Sequence, residues 1–377
     1  MLELYKYGGM SLRGCRHSVC CLLFSMGMTC RIPSHASIRN WICKCGKYRV
    51  ESTAEVVGQY VVIVDESITF GSEKILLILG LDVAIAGRKG ALGHEDMEVL
   101  FVGASQEWKA EQIAEQLQKA TVGKDIKYAV SDKGTNLCKA YKSLNIMHIP
   151  DCTHVLANHL KRIYEKSQVF EDFRKLIGKL RQAWNMSKTK SQYTPPGMRA
   201  KMRFANIFPC VAWAERMLAQ WDDLDQEVRD KVKLLKDNEA FFQGLAQAGG
   251  IFNAVCAKLK NEGFCGVHKQ ELLAQLEALG AQGEAAIFLQ NCKDYLDELS
   301  VKNDALGQER LLCSSDIIES YFGKFKAKMN TNRCSGLTEF IFTLAIFGKS
   351  FSIQEAKQAL ETIQCKELKL KTQPSAA

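Results

Sequence analysis

The chain has 377 residues, 47% of them hydrophobic and 24% charged, with a formal net charge of +8. That length is too great for one compact core and argues for two or three domains, each able to bury its own. The positive charge is not evenly spread: residues 161 to 203 hold twelve Lys or Arg against Glu165, Glu171 and Asp172, an excess larger than that of the whole chain.

Fifteen cysteines in a chain of this size do not read as a disulfide framework. No apolar run is long enough to cross a bilayer, and "CCLLF" at 20 to 24 is far too short. The expectation is a cytoplasmic protein with reduced thiols, no signal peptide and no membrane partner. Cys15, Cys20, Cys21, Cys30, Cys43 and Cys45, with His17 and His35 among them, lack the paired C-x-x-C spacing of zinc ribbons. Small buried hydrophobes are the preferred reading and a zinc site is the alternative.

Residues 1 to 50 predict short helices. "SLRGCRHSVCCLLFSMGM" has helical spacing up to a break at Gly27, and in "PSHASIRNWICKCGKYRV" Ile38, Trp41, Ile42 and Cys45 recur every three or four residues before Gly46. Two helices about a turn, the second bearing Arg39, Asn40, Lys44, Lys47 and Arg49, suit a helix-turn-helix-like region that reads DNA. A helical cap with a solvated basic face is the alternative.

From 51 to 160 the period changes. "QYVVIVDESI", "EKILLILGLDVA" and "MEVLFVGA" predict three strands, "SQEWKAEQIAEQLQKA" a helix with Ser105 near its start, "DIKYAVSD" a strand, "GTNLCKAYKSL" a helix and "NIMHIPD" a last strand. Asp65 follows "VVIV" and Asp132 follows "YAVS", so two carboxylates stand at strand ends, where open sheets bind ligands. Taken singly, each is more often a turn or cap residue.

Residues 161 to 310 predict an all-helical region with breaks at "TPPGM" (194–198), "QAGG" (247–250) and "LGAQG" (279–283). Its basic start, including Lys161 and Arg162, and the segment "TPPGMRAKMRF" suit a phosphate backbone or a solvated face; Trp184, Trp213 and Trp221 read as core. In 311 to 377, "CSSDIIESYFGKFK" opens a helix in which Asp316 fits an N-cap and Glu319 its N3 partner in a capping box. Capping explains that spacing without explaining Asp65 and Asp132.

Together these residues resemble the Asp-Asp-Glu triad of cut-and-paste transposases. Asp65, Asp132 and, after a helical insertion, Glu319 in "SSDIIESYFGKFK" carry the likeness over most of the chain. Asp151-Cys-Thr-His154 is similar to the C/D-x-x-H signature of the Mutator-like group. The resemblance implies an α/β ribonuclease-H-like core, a mixed five-stranded sheet with flanking helices, in which the first and fourth strands lie side by side. It implies four regions: 1–50 for DNA binding, 51–160 as the first part of the core, 161–310 as the all-helical insertion and 311–377 completing the core.

The implied activity is transposition, that is, DNA cleavage and strand transfer on the ends of a mobile element and on target DNA. Asp65, Asp132 and Glu319 would hold two Mg2+ or Mn2+ ions, with Asp65 bridging both; Asp316 competes with Glu319 as third ligand. His154 and Asp151 would stand near the site, and Lys324, Lys326 and Lys328 would contact the flanking phosphates. The implied assembly is a homodimer or higher oligomer on DNA in a bacterial nucleoid. A regulator that binds DNA without cutting it and a nuclease on the same fold are the alternatives.

Overall fold

The computed structural model describes residues 1–52, 57–67, 72–87, 92–197, 204–332 and 338–368. Contacts divide the chain into one unit of Met1–Pro150 with Ser314–Ala377 and a second of Asp151–Cys313. The helical unit therefore starts at Asp151, and the N-terminal helices share a unit with the sheet.

Three helices lead the first unit: α1 (Leu2–Lys6), α2 (Leu12–Ser25) and α3 (His35–Ser52). The Ser11 hydroxyl caps α2 by accepting from the Gly14 N–H at 3.0 Å. Gly46 does not end α3 but lies inside it. A Cβ at Gly46 would stand 1.9 Å from the Phe342 carbonyl oxygen, so glycine there permits close contact with the 3-10 segment Glu339–Phe347. Ile38, Ile42 and Cys45 of the expected apolar stripe are buried, whereas Trp41 is 39% exposed. Burial also raises the Cys45 thiol pKa to about 11, the behaviour of a small core hydrophobe.

The strands are β1 (Gly58–Glu66), β2 (Lys74–Asp82), β3 (Glu98–Ser105), β4 (Lys124–Ser131) and β5 (His148–Pro150). They form one mixed sheet in the order β3-β2-β1-β4-β5. β2 runs antiparallel to β1 and β3, while β4 runs parallel to β1 and β5. A short helix α4 (Val83–Ala86) separates β2 from β3, and α5 (Ala110–Ala120) and α6 (Thr135–Ser143) flank β4 in the chain. Apart from α4, whose Val83 and Ala84 close the segment read as the second strand, the succession of three strands, helix, strand, helix, strand is the one read from the sequence. Ser105, however, ends β3 rather than starting α5, whose N-cap is Lys109.

Continuous apolar strands need cover on both faces. On one face Val62, Val64 and Ala129 pack with Ile113 and Leu117 of α5 and with Leu137, Ala140 and Tyr141 of α6. Val61, Ile63 and Val130 point the other way by strand alternation and are equally buried.

The second unit is helical: α7 (Cys152–Tyr164), α8 (Gln168–Trp184), α9 (Phe208–Ala219), α10 (Gln226–Asp237), α11 (Glu239–Glu262), α12 (Gly266–Glu277) and α13 (Gly283–Leu306). The break expected at 279–283 is present. The one expected at 247–250 is not, because α11 runs straight through it; at Gly249 a Cβ would meet the Phe208 ring at 2.7 Å. Trp184 and Trp213 are core, as expected, whereas Trp221 is only partly buried. Of the segment "TPPGMRAKMRF", 198–203 lie outside the described residues. The Cys152 N–H donates to the Cys313 carbonyl at 2.9 Å, so the unit's two ends meet.

The chain returns to the first unit as α14 (Asp316–Thr331), which packs on β1. Since α5 and α6 hold the opposite face, α14 covers the side bearing Val61 and Ile63. After the Glu339–Phe347 segment, α15 (Ile353–Thr362) packs against α3. Among the described residues no helix is long and apolar enough to cross a membrane.

Candidate active site at the strand ends

The parallel pairing of β1 with β4 runs to Ile63 opposite Val130. Asp65 lies two residues beyond Ile63 near the end of β1 and Asp132 two beyond Val130, just past β4, so the two carboxylates stand at the C-terminal ends of neighbouring strands. By alternation Asp65 shares the Ile63 face, and both aspartates are partly buried.

Asp132 is held by the turn it begins. Its Oδ1 accepts from the Gly134 N–H at 3.0 Å, and a Cβ on Gly134 would lie 2.9 Å from that same oxygen. The Ser131 hydroxyl donates to the Asp132 carbonyl at 2.9 Å and stands 3.0 Å from His148 Nε2. With its proton used, Ser131 accepts from His148, which assigns that ring's hydrogen to Nε2 and leaves Nδ1 facing the Cys138 thiol at 3.7 Å. His148 thus braces the strand end that carries Asp132. Sequence reasoning passed it over; the available signal was its place on the strand beside "YAVSD".

Two further groups register the charge at this edge. The Glu66 carboxyl is raised above the usual range by burial, opposed by Lys74 at 3.6 Å and increased by the negative charge of Asp132. The Tyr141 phenol is pushed up by burial, with Asp132 and Asp65 acting in the same direction.

Glu319 lies on α14 but not where a capping box needs it. Ser315 is the N-cap, with no side-chain cap hydrogen bond, and Asp316 is the first helical residue, which makes Glu319 the fourth rather than N3. Capping therefore does not account for it. Asp316 is exposed, whereas Glu319 is partly buried.

The turn bearing Glu319 is anchored by His94, from the 3-10 turn before β3. His94 Nε2 lies 3.3 Å from Ser320 Oγ, the Tyr321 hydroxyl donates to the His94 carbonyl at 3.3 Å, and the two rings stack at 4.7 Å. Burial, then the positive charges of Lys324 and Lys6, lower its pKa to about 4, so the ring is neutral at physiological pH. Carboxylate oxygens are the donors that Mg2+ prefers. Among the described residues no group of three His, Cys, Asp or Glu side chains is set to hold a metal.

The other expected contacts divide. Lys328 is not poised for DNA: it is buried, its ammonium donates to the Tyr5 carbonyl and to the Met10 carbonyl at 3.3 Å, and it lies 4.2 Å from the Tyr5 ring. Lys324 packs 5.9 Å from the Phe347 ring, and burial lowers its pKa. Lys326 is partly buried on the same helix.

On α3, Arg39 pairs with Glu339 at 2.9 Å, Lys44 donates to the Leu360 carbonyl at 3.1 Å and Lys47 pairs with Glu51 at 2.6 Å. Arg49 lies 3.6 Å from the Phe351 ring centre and donates to the Lys349 carbonyl at 2.7 Å. Asn40 is partly buried beside them. The basic side chains of α3 are thus tied to partners within its own unit.

In the second unit Asp151 is 1% exposed and caps α7, accepting from the His154 N–H at 2.8 Å. The Asp-x-x-His spacing is therefore that of an N-cap and its N3 residue. The side chains approach again at 3.4 Å between His154 Nδ1 and Asp151 Oδ1. Lys161 and Arg162 are exposed on the last turns of α7, Lys161 in a surface pair with Glu165 at 3.5 Å. No protein-family model and no curated protein matches this chain.

Proposed function

We propose that the chain is a DDE-type transposase with a ribonuclease-H-like core, acting on DNA by metal-dependent cleavage and strand transfer. The observation that carries this reading is the parallel pairing of β1 with β4 in a β3-β2-β1-β4-β5 sheet, with Asp65 two residues beyond the last paired residue of β1 and Asp132 two beyond that of β4. Support comes from α14, which brings a third acid on a helix packed against β1.

Asp65, Asp132 and Glu319 are the residues that would hold Mg2+ or Mn2+. When bound, such ions neutralise charge on the attacking and leaving oxygens of a phosphodiester. The chain's own groups do the rest. Gly134 fixes one oxygen of Asp132 and leaves Oδ2 for a ligand; His148 and Ser131 keep the strand end rigid; neutral His94 holds the turn of α14 that bears Glu319.

The second reading is a regulator that binds DNA without cutting it. The two readings part in a cleavage and strand-transfer assay with Mg2+ or Mn2+ on DNA carrying the element's ends. The transposase reading expects Asp65→Asn, Asp132→Asn and Glu319→Gln each to abolish product at an unchanged melting temperature. Wild-type chain that binds these ends and yields no product with either ion supports the regulator. Loss of product in Asp316→Asn but not in Glu319→Gln moves the third role to Asp316.

A further inference from the structure

Beside α3, whose cations are consumed internally, the first unit has a basic cleft whose cations are not. It lies between α2 and the start of α3, encloses about 930 Å3, and is lined by Arg13, Arg16, His17, Arg31, His35 and Trp41 among others. No carboxylate lines it. Arg13 and Arg16 sit one turn apart on α2, and they and Arg31 are exposed. Among the described residues none of these three arginines meets an acid or a hydrogen-bond acceptor, which leaves three guanidinium groups around one concavity compensated only by solvent.

Like charges so placed repel one another, and a polyanion relieves that repulsion while releasing its own counterions. The shape narrows the choice. Trp41 is an indole left 39% exposed in the wall of the cleft, where a flat aromatic face offers stacking to a planar group. A duplex shows a convex backbone with its bases already stacked, so it would reach the arginines and leave Trp41 unused. A single strand presents phosphates and unstacked bases together, the pairing that a basic groove with an aromatic platform selects.

We propose that this cleft binds single-stranded nucleic acid, with Arg13, Arg16 and Arg31 on successive phosphates and a base on Trp41. The proposal concerns binding alone and stands whether or not the strand-end carboxylates are catalytic.

The test is fluorescence anisotropy with a labelled oligothymidylate in EDTA, so that no metal-dependent chemistry contributes, across a salt series. The wild-type chain is expected to bind it more tightly than a duplex of equal length. Arg13→Gln/Arg16→Gln/Arg31→Gln should flatten the salt dependence by about 2 in log–log slope, since each phosphate on a single strand contributes roughly 0.7. Trp41→Ala should weaken binding about five-fold or more, and Trp41→Phe, which keeps an aromatic face, should recover most of it.

Thermal melts matching wild type establish that each variant is folded; the three arginines are exposed and bear no packing. A triple variant with the wild-type slope overturns the site. Tighter binding of the duplex, or a Trp41→Ala chain that binds like wild type, overturns the single-strand assignment. Inorganic polyphosphate, which has no bases, should compete poorly; full competition at equal phosphate would show a general anion surface instead.

Discussion

Helices α2 and α3 adjoin in sequence and both are rich in cations, yet they use them in opposite ways. On α3 the basic side chains are fastened to Glu339, to Glu51, to main-chain carbonyls near 349 and 360 and to the Phe351 ring. On α2, Arg13 and Arg16 face an acid-free cleft. Each fastened cation has exchanged water for fixed partners, so its removal is felt as stability; each unfastened one is felt only when an anion arrives. Charge density in a sequence therefore says little about ligand binding until the partners are known.

The sharpest break of this contrast is Gly46→Ala. With a Cβ set 1.9 Å from the Phe342 oxygen, α3 must move from its partners, and a loss of about 3 kcal/mol in denaturant unfolding is expected. A near-neutral result would mean that α3 is not held as closely as its cation partners indicate. Next is Lys328→Met, which leaves the buried Tyr5 and Met10 carbonyls without their donor and should cost about 2 kcal/mol.

Burial, with the positive charges of Lys324 and Lys6, acts on His94 in the same unit. Its folded pKa of about 4 lies below the unfolded value of 6.5, so the stability it contributes is whole above pH 6.5 and lost as pH falls towards 4. Melting across that window should show a loss of about 2 kcal/mol that His94→Gln removes, given 1.36 kcal/mol per unit less a discount for solvent screening. The smallest effect belongs to α2: Arg13→Gln and Arg16→Gln should each shift stability by less than about 0.5 kcal/mol. A larger shift would place these arginines with the fastened set and weaken the case for the cleft.

The succession of strands and the carboxylate at the end of two of them were legible because their signals are local, unbroken apolar runs and turn residues between them, whereas the pairing of the first strand with the fourth came only with the resemblance. The length of α3 was not legible, since what makes Gly46 acceptable within a helix is the Phe342 carbonyl, far along the chain. Gly249 misled in the same way, its reason being Phe208. The role of the α3 cations was hidden too, because Arg39 finds Glu339 and Lys44 finds Leu360 some three hundred residues on. Glu319 was half legible: its helix was evident, but the N-cap falls one residue earlier than the Asp-x-x-Glu spacing suggests, at Ser315.

The insertion of a helical unit of about 160 residues between β5 and α14 has a consequence for synthesis. At about 5–20 residues per second, a ribosome needs roughly 10–30 s to pass from Pro150 to Ser314. During that interval the sheet is complete but Val61, Ile63 and Val130 await the helix that covers them. The inserted unit, whose ends meet through Cys152 and Cys313, closes on itself meanwhile. The nascent chain thus passes this interval without α14, the helix that packs against β1, the strand bearing Asp65.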